Sequence, residues 1–362
     1  MRILLVDPVA YSLPYDDALA AALARRGHDV ELITSPYVFG EAPQPVGYRR
    51  NELFLPVSGR LFRRAPRSRV RDLVASLEYG PGVVALLHRV RSFRPDVVHV
   101  QWTPRHALDL RWLGRLGRPL VFTAHNALPR APRHVAARRE VVRLADRIVV
   151  HSRRAREQAV ELGAPRAHVV VIPHGVWEPE REPQPPSGRT LLFFGLIRPY
   201  KGLDVLIEAL RAVPEARLVV AGDPWDDVEP LRRAADGLDV DWRLGFVPQD
   251  EVPPLFRDST LVVLPYKHVR QIDSSGVLAL ALGHGRPLVV SDIGALGEVV
   301  SDFGAGRVVP PGDAGALARA CEEVLADLVP AFRGTQAARR ALSWDAAAEA
   351  HENMYRNIVG RG

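Results

Sequence analysis

The sequence predicts an α/β chain of two doubly wound parallel-sheet domains. Short, fully apolar runs alternate with longer runs of helical spacing, the pattern of buried parallel strands and their crossover helices. A proline-rich polar segment interrupts this alternation near the middle, and the alternation then restarts. The 362 residues hold two cores at roughly 150 residues each.

Met1–Val6 reads as the first buried strand. Asp16–Arg26 follows as a helix, with Leu19, Leu23 and several alanines on one face, stopped by Gly27. His28–Thr34 is the next strand. Val97–Val100, Leu120–Thr123, Arg147–His151 and His168–Ile172 complete the first sheet. Residues 1–176 therefore form an N-terminal domain and 177–189, centred on Glu178–Gly188, a stiff linker. The second series comprises Thr190–Phe194, the helix Leu203–Leu210, Arg217–Ala221, Trp242–Gly245, Thr260–Leu264, the helix Val277–Leu282 and Pro287–Ser291, within a domain spanning 190–342. Ser343 is a candidate N-cap for a last helix, Trp344–Val359, and residues 343–362 are expected to pack back on the first domain. Ligands of open α/β sheets bind at the carboxyl ends of the strands, so a cleft where two such sheets face each other is the expected site.

Composition excludes several chemistries. Cys321 is the only cysteine, which rules out an internal disulfide or a cysteine metal site, and its helical spacing with Leu317, Val324 and Leu325 marks a core residue. The first strand is too short for a signal segment, and no apolar run approaches the ~20 residues of a membrane span. The expected location is cytoplasmic, with room for peripheral contact at the inner face of the membrane. Only two of the 48 basic residues are lysine, Lys201 and Lys267, a bias that resembles GC-rich coding. The loop Pro8–Asp16 lacks a Gly-x-Gly-x-x-Gly fingerprint, and no Walker motif occurs, so a dinucleotide cofactor is not expected. Asp223, Asp226 and Asp227 read as a helix-capping loop rather than a metal site. His106, His134, His151 and His168 lack ligand spacing, and no metal is expected.

Two segments carry the chemistry. In Phe193–Gly202 a buried strand ends at Gly195, and Arg198 and Lys201 follow before a helix. Such a loop suits a diphosphate, Arg offering a fork of donors and Lys a compact charge; its plain alternative is two solvated cations. Asp273-Ser274-Ser275-Gly276 precedes an apolar helix, where free N–H groups and the helix dipole suit an anion; its plain alternative is a simple serine N-cap.

These pieces occur together and in order. Phe194-Gly195 with Lys201-Gly202 resembles the FxGxxxxxKG segment of the family 4 retaining glycosyltransferases, whose fold is GT-B, two Rossmann-like domains facing a cleft. Leu218–Gly222, Gly245-Phe246-Val247, Val262–Pro265 and Gly285–Asp292 with Gly294 and Glu298 resemble further segments of the C-terminal half. Arg25–Val30, Asp96–His99, Thr123-Ala124-His125 and Ile172–Val176 do so in the N-terminal half. The resemblance implies a metal-independent transfer of sugar from a nucleotide-diphosphate-sugar, the donor substrate, to a glycan or lipid-linked acceptor, without a cofactor. It implies that Arg198 and Lys201 hold the donor diphosphate and that Ser275 and Gly276, flanked by Ser274, meet its distal phosphate. Gly195 lies beside them, and the backbone of Phe246 and Val247 would hold the base. His125 would lie by the transferred sugar, against the plain alternative of a histidine bonded at a strand end. Tyr11, Ser12, Tyr15 and Asn126 are the candidate acceptor residues.

Three departures stand out. Leu196 occupies the position directly after the glycine where the family has arginine, with Arg198 two residues on. Ile272 and Leu280 fall where the family has its Glu-x7-Glu pair, with Asp273 a stand-in for the first. Tyr11-Ser12-Leu13 replaces the glycine pair after the first strand. The second departure motivates an alternative, a non-catalytic scaffold or regulator of the same fold; another is a nucleotide-sugar epimerase. The stretch Arg49–Arg71, eight arginines interleaved with Leu and Phe, suits an anionic membrane surface, with Phe54 and Phe62 expected to insert; a solvated loop is the alternative. No recognition module accompanies that charge, so nucleic acid is not an expected partner.

Overall fold

The computed structural model describes residues 1–61, 69–129, 131–268 and 274–360. Contacts divide the chain into two compact units. One comprises Met1–His151, Ala155–Pro173 and Trp344–Gly362, the other Ser152–Arg154 and His174–Ser343.

The first unit holds seven strands: β1 (Arg2–Asp7), β2 (Asp29–Thr34), β3 (Arg49–Glu52), β4 (Val97–Val100), β5 (Leu120–Thr123), β6 (Arg147–Val150) and β7 (Val169–Val171). They form one parallel sheet in the order β3-β2-β1-β4-β5-β6-β7. The chain winds outward from β1 in one direction and from β4 in the other, so the switch point lies between those two strands. Helices cover both faces of such a sheet, which is why Ile3 to Val6 and all of β4 are buried.

The first helix, Leu13–Arg25, starts three residues before the expected Asp16 because Pro14 is accepted in its first turn. β3 escaped the sequence pattern because its residues, Arg-Arg-Asn-Glu, show no apolar alternation. Side-chain bonds tie this edge strand to β2: Arg49 Nη2 donates to Asp29 Oδ1 at 2.7 Å and Asn51 Nδ2 to Glu31 Oε1 at 2.7 Å. Arg89 grips the buried Glu31 carboxylate with two bonds of 2.7 and 2.6 Å. The expected membrane insertion of Phe54 is overturned, since its ring is fully buried and packs against Tyr79, with centroids 5.3 Å apart. Withdrawing a ring of that size from water stabilises the core by about 1.5–3 kcal/mol. Phe62, Arg63, Arg64 and Arg67 lie outside the described residues.

The last helix, Trp344–Val359, belongs to this unit. Arg26 Nε donates to its Glu352 at 2.6 Å, and Tyr355 Oη meets the buried His99 Nδ1 at 2.6 Å.

The second unit holds β8 (Thr190–Phe194), β9 (Arg217–Gly222), β10 (Val240–Leu244), β11 (Leu261–Leu264), β12 (Leu288–Ser291) and β13 (Gly306–Val309). Their order is β10-β9-β8-β11-β12-β13, again all parallel, with the switch point between β8 and β11. β13 begins at Gly306, where a Cβ would lie 1.7 Å from Leu288 O, so the pairing depends on glycine. The buried Arg286 fastens the proline-rich segment by bonding Gln184 O together with the carbonyls of Ser259 and His284. Cys321 is fully buried, and burial raises its thiol to about 12, which suits a core residue. Among the described residues no helix is long and apolar enough to cross a membrane.

Candidate functional site

Several of the expected residues follow strands at the two switch points, one in each unit.

In the second unit, β8 delivers the chain into Gly195, Arg198 and Lys201. Three glycines permit that path. Gly222 at the end of β9 approaches so closely that a Cβ would stand 1.8 Å from Gly195 O. Gly202 has φ +71° and packs under Pro265, whose carbonyl a Cβ would meet at 1.9 Å. A Cβ on Gly195 would itself touch Lys201 Nζ at 3.4 Å. Lys201 is thus buried to 8% exposure, with its ammonium 5.2 Å from the ring centroid of Tyr266, just beyond β11. Arg198 lies over the ring of Trp225, 4.3 Å from its centroid. Among the described residues no carboxylate pairs with either cation. Lys267 differs: it is half-buried and bonded to Asp204 at 2.6 Å.

Ser275 precedes the helix Gly276–Gly283 with extended dihedrals but makes no side-chain cap bond. The simple N-cap reading is therefore set aside. Its hydroxyl meets Tyr266 Oη at 3.0 Å, leaving the first-turn N–H groups without that cap. Ser274 and Ser275 line a narrow cavity with His174, Ala295 and Val299. Trp177 flanks Gly276, with ring carbons 3.7–3.9 Å from where a Cβ would be. After β10, Phe246 is exposed, and Val247 packs on the apolar cluster that contains Tyr266 and Val277. Leu280 packs on the same cluster. Ile272 and Asp273 lie outside the described residues. Gly195, Lys201 and Ser275 are thus brought together, through Tyr266, which the sequence reading missed. Its signal was its position at the carboxyl end of a strand adjoining the switch point.

In the first unit, His125 follows β5. Its Nε2 lies 3.0 Å from the side-chain amide of Gln101, its Nδ1 lies 3.2 Å from His151 Nε2, and its ring stacks on Trp102 at 5.0 Å and 13°. Burial lowers His151 to about 4, so it is neutral. Its Nδ1–H donates to Ile172 O at 2.9 Å, which leaves its Nε2 to accept from His125 Nδ1–H. His151, which lacked ligand spacing in the sequence, therefore orients the imidazole. Tyr15 is buried, its ring edge-on to His125 at 4.8 Å. Tyr11 and Ser12 lie in the loop after β1, and Asn126 next to His125. Behind this loop the Asp7 and Asp16 carboxyls are both fully buried, and burial raises both, Asp16 the more strongly. No cluster of three potential ligands for a metal ion occurs among the described residues.

Residues 17–177 match the family described as Glycosyltransferase Family 4, and residues 188–327 match Glycosyl transferases group 1. The chain belongs to the family 4 glycosyltransferases. It is 28% identical to the D-inositol 3-phosphate glycosyltransferases of Mycobacterium tuberculosis and Mycobacterium bovis, over 94% of this chain and 77% of theirs. Its fold is similar to sucrose-phosphate synthase from Thermosynechococcus elongatus, with a TM-score of 0.75 at 18% identity over the whole of both chains. It is also similar to Anabaena HepE in complex with UDP and glucose, with a TM-score of 0.72 at 17% identity over 99% of this chain and 100% of that one. The glycosyltransferase is thus a GT-B protein of two Rossmann-like units.

Proposed function

We propose that this glycosyltransferase moves a sugar, with retention, from a nucleotide-diphosphate-sugar to a glycan or lipid-linked acceptor. The observation that carries the reading is the pair Arg198 and Lys201, two cations without a carboxylate partner among the described residues, beside the uncapped helix start at Ser275. A largely buried ammonium is stable where an anion completes its surroundings, and a diphosphate supplies that charge. The UDP complex of HepE supports the same class of donor. In the proposed step the C1–O bond to the diphosphate breaks and the acceptor oxygen bonds C1 from the same face. The acceptor proton passes to the departing phosphate oxygen, so neither metal nor cofactor is required. Arg198, Lys201 and the first-turn N–H groups stabilise the charge that develops on the leaving group. His125, held by His151 and Gln101, lies by the transferred sugar, and the backbone of Gly245, Phe246 and Val247 takes the base. The deciding experiment screens nucleotide-sugars by thermal shift and then by nucleotide release. A shift with release is expected. Binding without release would favour the non-catalytic reading, and no shift with any nucleotide-sugar would remove the assignment.

The glycosyltransferase is further proposed to act in surface polysaccharide or glycolipid assembly, on the cytoplasmic face of an anionic membrane. The helix Arg69–Phe93 supports this. Val70, Leu73, Leu77 and Val84 are each more than half exposed and fall on one helical stripe. Arg69 and Arg71 flank that stripe at its start, as on helices that lie in an anionic interface.

A further inference from the structure

The carboxyl edge of the first sheet carries an unbroken run of aromatic rings. Tyr37 and Phe39, beyond β2, have centroids 6.0 Å apart, and Phe39 lies 6.0 Å from Tyr11, beyond β1. Tyr11 meets Trp102, beyond β4, edge-on at 5.6 Å, and Trp102 stacks on His125. Three separate strands thus contribute rings to one path, and that path crosses the switch point between β1 and β4. Tyr11 is 58% exposed. Trp102 is fixed in place, its Nε1–H donating to Ser12 Oγ at 2.8 Å.

Segments 8–12, 35–47 and 101–104, which carry these rings, contain neither lysine nor arginine, and the Arg50 guanidinium that reaches the second of them is bonded to Pro43 O at 2.6 Å. The loop after β1 also leads into a helix start, an ordinary place for a phosphate. Here Asp7 takes up donors of the loop itself: its carboxyl accepts from Val9 N at 3.1 Å and from Ser12 N at 3.3 Å. A phosphate arriving at this loop would meet buried carboxyls rather than free donors.

We propose that the rings of Tyr37, Phe39, Tyr11 and Trp102, leading to His125, form an acceptor subsite for the apolar face of an uncharged pyranose. The acceptor is then a neutral saccharide rather than a phosphorylated polyol. A pyranose presents a face of C–H groups whose partial positive charge complements the negative face of an aromatic ring, while its hydroxyls remain at the edge for hydrogen bonds. This inference rests on the glycosyl-transfer reading for its biological meaning, but the subsite is testable by binding alone.

The probes are methyl α- and β-hexopyranosides and neutral disaccharides, with inositol 1-phosphate as the anionic comparator. Binding to the full chain is followed through the indole N–H resonance of Trp102, assigned by its loss in Trp102→Phe. At least one neutral saccharide is expected to shift that resonance. Tyr11→Ala and Phe39→Ala should each weaken its binding about tenfold, and Tyr11→Trp should restore it. Tyr11 is exposed, so its variants test binding without endangering the core. Tighter binding of inositol 1-phosphate than of every neutral saccharide would overturn the proposal, as would unchanged saccharide affinity in both alanine variants. Saccharide binding without nucleotide release from any donor would leave the subsite standing and sink the transfer reading. Release without any saccharide response would do the reverse.

Discussion

The ammonium of Lys201 lies 5.2 Å from the centroid of the Tyr266 ring, and the hydroxyl of that same tyrosine meets Ser275 at 3.0 Å. One aromatic side chain therefore links the cation after β8 to the helix start after β11. It gives Lys201 a neutral neighbour, so the positive charge remains available to an anion. Tyr266 also draws the Ser275 hydroxyl away from the helix it would otherwise cap.

Lys201→Ala and Arg198→Ala are each expected to lower turnover of the preferred nucleotide-sugar at least tenfold, from the loss of charge-assisted bonds of about 1.5–3 kcal/mol. Tyr266→Phe keeps the ring and removes the hydroxyl, so its effect should be a few-fold, near the ~1 kcal/mol of a neutral bond. Steady-state nucleotide release decides it. Wild-type rates in both cation variants would remove the diphosphate assignment.

Leu280 packs on the apolar cluster around Tyr266 and offers no group to a ribose hydroxyl. Discrimination between a nucleotide and its 2′-deoxy analogue should therefore be weak, since no buried partner is left unsatisfied by the analogue. Competition titrations test this. A preference above about a hundredfold for the ribo form would mean that another residue has taken the role.

Buried histidines make the first unit acid-sensitive. Burial lowers His151 and His351 to about 4 and holds His99 well below its ordinary range. The unfolded chain takes up these protons near pH 6.5 and the folded chain does not, so stability is full above about pH 6.5 and falls as pH drops toward 4. His351→Leu should flatten part of that decline in urea denaturation series at pH 7, 5.5 and 4.5. Identical pH slopes in variant and wild type would rule out His351 as a source.

The Asp7–Asp16 pair has the opposite sign. Both carboxyls are raised by burial, so the folded chain holds a proton that the unfolded chain releases above its ordinary value of 3.8. Their stabilisation is complete below that value and is lost as pH rises through the folded one. Asp16→Asn retains a bond donor without the titration. Its melting temperature relative to wild type should rise from pH 5 to pH 8, and a constant difference across that range would contradict a raised Asp16 carboxyl.

For the membrane, Leu73→Ser with Leu77→Ser should abolish sedimentation with anionic liposomes while leaving the nucleotide-sugar thermal shift in place. Wild-type binding should itself weaken as salt rises, because the basic contribution is screened over a Debye length of ~8 Å at physiological salt. If wild type ignores anionic liposomes at low salt, the stripe has another purpose.

The sequence by itself determined the two parallel sheets and most of their strands, because strands buried on both faces must be written as unbroken apolar runs such as Ile3–Val6 or Leu261–Leu264. It also marked Gly195, Lys201 and Ser275, since a close backbone approach, a scarce lysine and a helix start each leave a local trace. Only the tertiary structure decided what depends on neighbours distant in the chain. The polar edge strand Arg49–Glu52 exists through bonds to Asp29 and Glu31, which periodicity does not record. Phe54, next to that strand, turns into the core and packs against Tyr79, although its arginine-rich surroundings read as surface. Tyr266 and Trp102 acquire their roles in the same way: strands far apart in sequence are neighbours at a switch point, and only their pairing brings the side chains that follow them into contact.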